Sequence, residues 1–132
     1  MEKEGVILHL NQEVKALAIK EKKVEVLSND QAFQFDMVVV AAGVEPNSSL
    51  AKESGLQLGV KESIKVNSYL ETSHPGIYAA GDCAETTQMI TGEPIYLPLA
   101  LKANKEGVIA GANISGGKEQ FPGVLGSAVT KF

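Results

Sequence analysis

The sequence predicts an α/β fold in which a covered parallel sheet is joined to an antiparallel β-meander. Three observations lead there. Two apolar runs that end in glycine, "MVVVAAG" (37–43) and "GIYAAG" (76–81), have the composition of strands buried on both faces. Before them, residues 6–36 hold short, half-polar stretches suited to strands with one wet face. A single long segment, 97–117, carries apolar residues at helical spacing.

Taken in order, "GVILHL", "EVKALAIK", "KKVEVLS" and "QAFQF" are the candidate meander strands. Lys20-Glu21-Lys22 and Ser28-Asn29-Asp30 supply turns. In "QAFQF", Phe33 and Phe35 share one face, Ala32 and Gln34 the other. "SSLAKES" reads as a short helix closed by Gly55. "SIKVNSYLE" is a strand candidate, and "GIYAAG" follows the His74-Pro75 turn. Residues 86–95 are loop-like, with Thr91-Gly92-Glu93-Pro94 as punctuation. In the long helix Pro98 fits the first turn, and Gly116-Gly117 end it. Leu99, Leu101, Ala103, Val108, Ile109 and Ala112 form its expected buried side. Gly107 and Gly111, four apart, would let another backbone approach one face. "LGSAVTKF" reads as the opening of a further strand.

Two doubly buried strands need helices above and below them. One long and one short helix cannot supply both layers. The pattern therefore predicts a piece of a larger protein; a small α+β domain whose partner chain covers the sheet is the other reading.

Composition narrows the function. The chain has 132 residues, 44% hydrophobic, with net charge −4. All twelve basic residues are lysine, so no guanidinium fork is available for phosphate or guanine. Aromatic residues are 5% and none interleaves with a basic patch, which argues against nucleic acid. Met37 to Ala42 is too short an apolar run to span a bilayer. One cysteine excludes an internal disulfide, and a reducing cytoplasm is expected. His9, His74 and Cys83 lack metal-ligand spacing, so no metal site is expected.

The chemistry concentrates in "GIYAAGDCAE" (76–85). A buried strand ending in Gly81-Asp82 brings a carboxylate to the carboxyl edge of a sheet, where open α/β folds bind ligands. Gly81 permits close approach to backbone. Asp82 reads equally as an acceptor for sugar or ribityl hydroxyls and as the N-cap of a following turn. Cys83 has neither a second cysteine to resolve it nor a nearby histidine, and reads first as a small semi-buried filler. The start of the long helix either favours an electron-rich group or simply packs. No Gly-x-Gly-x-x-Gly or phosphate-loop pattern is present.

These residues resemble a known family. "VVVAAGVEPNSSLAKESGL" is similar to the end of the nicotinamide-nucleotide domain of flavoprotein (pyridine nucleotide-) disulfide oxidoreductases. "VNSYLETSHPGIYAAGDCAE" resembles their second flavin motif, and "LPLALKANKEGVIAGANISGG" the helix after it. "FPGVLGSAVTKF" resembles the opening of the interface domain. The matches keep their order from about residue 38 to 132, and residues 5–37 fit the β-meander that precedes them. The last two of these segments look most like the single-cysteine branch of NADH oxidases, NADH peroxidases and coenzyme A-disulfide reductases.

The resemblance implies partial Rossmann-like, three-layer FAD- and NAD(P)-binding domains with a β-meander. It divides the chain into 1–55 (end of the NAD(P)-binding domain with meander), 56–117 (end of the FAD-binding domain) and 118–132 (start of the dimerisation domain). It implies that Asp82 holds a ribityl or pyrophosphate-linked oxygen of FAD, with Ala80 and Gly81 alongside. Leu99 and Ala100 would approach the flavin's pyrimidine edge, and Pro98 and Gly43 the nicotinamide of NAD(P)H. Cys83 is then not the redox cysteine, and no catalytic residue lies in this chain. The implied activity of the parent is hydride transfer from NAD(P)H to flavin. From there electrons pass to a cysteine, disulfide, peroxide or oxygen acceptor. The chain alone is expected to be inactive, without stoichiometric flavin, and to self-associate or dimerise. A ferredoxin or rubredoxin reductase-type flavoprotein and a non-catalytic interaction domain are the competing readings.

Overall fold

In the computed structural model, which describes residues 2–29 and 31–127, the half-polar stretch folds into a three-stranded antiparallel sheet. Its strands are β1 (Val14–Lys20), β2 (Lys23–Ser28) and β3 (Gln31–Phe35), in that spatial order. Glu21-Lys22 joins the first pair, with Glu21 at φ 56°. Asn29 opens the second turn at φ 46°, a conformation that asparagine tolerates; Asp30 lies outside the described residues. Leu17, Val26 and Phe33 stand opposite one another, as do Ile19, Val24 and Phe35. Opposed residues share a face, so Phe33 and Phe35 do lie together. Lys20 and Glu25 form an ion pair at 2.7 Å on the other side. A register shift between Val14 and Ala16 leaves Lys15 as a bulge.

The chain divides at Ala42/Gly43 into two compact units, Met1–Ala42 and Gly43–Val129. In the second, α1 (Ser49–Glu53) ends as expected. Gly55 N–H donates to Lys52 O, and Leu56 N–H to Ala51 O. A two-stranded ribbon, β4 (Thr86–Thr87) with β5 (Pro94–Ile95), forms in the stretch expected to be loop. The long helix, α2, runs Ala100–Ile114. Gly117 N–H caps Ala112 O where the glycine pair was expected to stop it. Pro98 precedes the helix rather than entering its first turn. The core gathers Leu70, Ala110 and Phe121, with Val66, Tyr78, Ala80, Ile109 and Val124 against them.

Four strand expectations fail. "GVILHL" and "MVVVAAG" are irregular, and Val39 is 80% exposed. "SIKVNSYLE" and "GIYAAG" make only isolated bridges: Ile64 with Leu58 and Ala84, and Glu71 with Tyr78. The reason is one of partners. A doubly buried strand is held by ladders on its edges and side chains over both faces. Among the described residues nothing pairs with 37–43. "LGSAVTKF" shows no strand over Leu125–Ser127, and its remainder lies outside the described residues.

The buried side of α2 also differs from expectation. Leu101 is 80% exposed, Val108 and Leu99 are exposed, and Ala103, Ile109 and Ala112 are only half-buried. Lys102, Glu106, Ala110 and Asn113 form the covered stripe instead. What they face explains this: polar backbone of the neighbouring segments. Asn113 Nδ2 donates to Tyr69 O (2.9 Å) and Glu119 O (2.8 Å), and its Oδ1 accepts from Glu119 N–H (2.7 Å).

Among the described residues no other backbone comes close to the two helix glycines. A Cβ at Gly107 or Gly111 would meet nothing within 4 Å. Gly107→Ala is therefore expected to raise the unfolding free energy by about 0.5–1 kcal/mol through helix propensity alone. Chemical denaturation measures it, and a loss of stability would mean that another backbone does press on that face.

Candidate functional site

The residues Gly81-Asp82-Cys83-Ala84 form a four-residue turn, closed by Ala84 N–H donating to Gly81 O at 3.0 Å. Gly81 sits at φ +87°, where a side chain is strained, although a Cβ would only touch Ala103 Cβ at 3.7 Å. Glycine is thus needed here for backbone shape more than for space. Asp82 stands at the turn's tip, exposed, with no hydrogen bond or ion pair among the described residues. No helix follows it, so its N-cap reading falls. The other acid nearby behaves differently: Glu85 is buried, and Val60 N–H donates to its Oε2 at 2.7 Å. Cys83 is half-buried, its Sγ 3.6 Å from Ala80 O.

The turn is anchored from both sides. On one, Ile64 N–H donates to Cys83 O (2.8 Å) and Glu85 N–H to Ile64 O (2.9 Å). On the other stands the first half of α2. Lys102 Nζ donates to Gly81 O (2.8 Å) and Ala84 O (3.1 Å). Gly81 N–H donates to Glu106 Oε2 at 2.9 Å, and the two side chains pair at 3.1 Å. Burial pushes the Glu106 carboxyl above its ordinary value, against the Gly81 amide, Lys102 and the Thr86 hydroxyl, which pull it down. Glu106 Oε1 and Thr86 Oγ1 are both enclosed without a well-aligned partner.

These contacts bring Gly81 and Ala84, on either side of Asp82, against Lys102, Ala103 and Glu106 in the first half of α2; Leu99 and Ala100 lie just before them in the chain. Leu99 gives the helix no side-chain cap, which leaves its first N–H groups open. Pro98 is half-buried just before it. Gly43 has no described contact with the turn. Tyr96 links these segments electrostatically. Its phenol pKa is raised by burial first, then by Asp82, Cys83 and Glu45. Among the described residues Tyr96 Oη is enclosed and has no partner. Lys102 and Glu106 carry no signal in the sequence, because a Lys–Glu pair four apart on a helix usually reads as a solvated face. Among the described residues, no group of three or more His, Cys, Asp and Glu converges as metal ligands. No helix there is long and apolar enough to cross a membrane.

The family pattern described as "Pyridine nucleotide-disulphide oxidoreductase" matches residues 1–107. The chain belongs to the pyridine nucleotide-disulphide oxidoreductase family. Among its relatives in that family is the NAD(P)H sulfur oxidoreductase (CoA-dependent) of Pyrococcus furiosus, 40% identical over 125 residues. That match covers 95% of this chain and 28% of the relative. Two solved structures are also similar. A NAD-dependent persulfide reductase from A. fulgidus superposes with a TM-score of 0.86 at 41% identity, over 98% of this chain and 24% of that one. A FAD-dependent pyridine nucleotide-disulphide oxidoreductase from Desulfovibrio vulgaris gives 0.80 at 37%, over 92% of this chain and 31% of that one. The chain thus spans less than a third of each. The α/β, Rossmann-like class holds at this level, with the meander formed and the doubly buried strands not.

Proposed function

We propose that this chain carries part of the flavin site of an FAD-dependent NAD(P)H oxidoreductase, and that Asp82 is its principal contact to the cofactor. One observation carries the reading. A carboxylate without a partner among the described residues stands at the tip of a rigidly anchored turn, and that turn is bonded to the first half of a 15-residue helix with an uncapped start. The residues fit the group. The exposed Asp82 side chain would accept hydrogen bonds from sugar-alcohol hydroxyls, and the enclosed Tyr96 Oη has no partner among the described residues. The open N–H groups of Leu99–Ala100 and the positive helix end favour an electron-rich carbonyl edge. Ala80 and Gly81 bring backbone close to the cofactor, and Pro98 and Gly43 lie towards the nicotinamide.

When bound, FAD supplies the relay by which a hydride from NAD(P)H becomes electrons for a sulfur, peroxide or oxygen acceptor. The names of the relatives, a CoA-dependent sulfur oxidoreductase and a persulfide reductase, favour a sulfur acceptor. Cys83 stays outside that path, since its sulfur is turned onto the Ala80 carbonyl. Domain limits at 55 and 117, and a homodimer built beyond 118, belong to the same reading.

The test uses the polypeptide as its gene encodes it. Asp82→Ala is expected to weaken FAD retention by roughly 10- to 100-fold, the worth of a hydrogen bond to a charged group. Dissociation is followed by the rise in free-flavin fluorescence. Unchanged retention would remove Asp82 from the site.

A further inference from the structure

Two opposite charges lie buried against each other in the second unit. Lys102 is 4% exposed and Glu106 0%. Removing such groups from water is expensive, and an apolar pair of the same volume often stabilises a protein at least as well. Stability is therefore a poor account of their presence, whereas their contacts converge on a single place. Among the described residues, apart from each other, their side chains bond only Gly81 N–H, Gly81 O and Ala84 O. Those atoms are the two ends of the turn that presents Asp82. Each end is held by a charge-assisted bond, stronger and more directional than neutral ones. The amide and carbonyl of Gly81, a residue free to rotate through left-handed space, are seized at once by opposite charges. A glycine-hinged turn with an unpartnered acid at its tip would otherwise wander.

We propose that the Lys102–Glu106 pair is a positioning device that locks the Gly81–Ala84 turn and so sets where Asp82 meets the flavin's sugar-alcohol chain. This rests on the flavin reading above. Neither side chain touches the cofactor; both act through the turn. Ligand-bearing groups need such a supporting shell to be held within a fraction of an ångström.

The experiment compares the gene-encoded polypeptide with its Lys102→Met/Glu106→Gln double variant. This variant removes both charges yet keeps an acceptor near Gly81 N–H. Three quantities are read: melting temperature, FAD dissociation, and amide hydrogen exchange over residues 79–86 without added flavin. The double variant should melt close to the wild type. Exchange at Gly81 and Ala84 should rise at least about tenfold, and FAD should bind about tenfold more weakly with Asp82 intact. Unchanged exchange and binding would make the pair a packing element and overturn the proposal. Faster exchange with unchanged FAD binding would overturn it too, by showing that the cofactor does not need the lock. A wild-type protein that retains no FAD would defeat the flavin reading itself, and the exchange data, which need no flavin, separate that failure from the others. Should the double variant not fold, Glu106→Asp replaces it with the same readouts. It keeps the charge but withdraws it by one methylene from the Gly81 amide.

Discussion

Glu106→Ala should lower the unfolding free energy by about 3–5 kcal/mol, the cost of removing one partner from a buried ion pair. The truncation leaves the Lys102 ammonium in a site that is 4% exposed, with only the Gly81 and Ala84 carbonyls for company. It also orphans the Gly81 N–H, which now donates to Glu106 Oε2. Guanidinium denaturation measures the loss; a change below about 1 kcal/mol would mean that water reaches the pair freely. Glu106→Gln should cost less, because it keeps the shape and an acceptor. The pH response separates the two causes. Burial raises the Glu106 pKa above its ordinary 4.5, so the folded chain holds this proton more tightly than the unfolded one. Its contribution is fully present below 4.5 and is lost as pH rises through the raised value. In Glu106→Gln that segment of the stability–pH curve should flatten.

Gly123→Ala is expected to cost about 2–5 kcal/mol, combining backbone strain with a steric clash. Gly123 has φ +97°, and a Cβ there would overlap the backbone oxygen of Thr87. That oxygen cannot swing aside, because it accepts from Val124 N–H at 2.9 Å. Met89 N–H in turn donates to Val124 O at 2.9 Å, so the segment after α2 is stitched to β4 at this point. Phe121, two residues earlier, is part of the core and moves if the stitch opens. Gly81→Ala is the matched comparison. It shares the left-handed φ but meets only Ala103 Cβ at 3.7 Å, so it should pay strain alone, about 1–2 kcal/mol. Equal losses at the two positions in thermal or chemical melts would contradict the clash.

Much of the local structure was legible. The alternation of "KKVEVLS" and "QAFQF", with Ser28-Asn29 between them, carries the register of β2 and β3 in its own period. Gly55 and Gly116-Gly117 stop α1 and α2 through bonds made within a few residues. The string proposed to meet the flavin was readable too, since "GIYAAGDCAE" is contiguous. Less legible was the surrounding of that string. Leu101 and Val108 were expected in the core, and the structure exposes them and buries Lys102 and Glu106 instead. Leu101 and Val108 have no cover among the described residues, while Lys102 and Glu106 find backbone groups to satisfy. Hydrophobic periodicity counts residue types, and it cannot count polar partners supplied by another segment.

From the amino-acid order alone came the meander, the two helices with their ends, the family likeness and the string that holds Asp82. Only the tertiary structure decided which side of α2 is buried, which apolar runs stay irregular, and that Asp82 is free while Glu85 is engaged. The division follows range. Turns, caps and strand alternation depend on neighbours a few positions away, so they are written in short words. Burial depends on partners such as Gly81 and Lys102, 21 residues apart, and a strand or an ion pair exists only where its partner is brought to it.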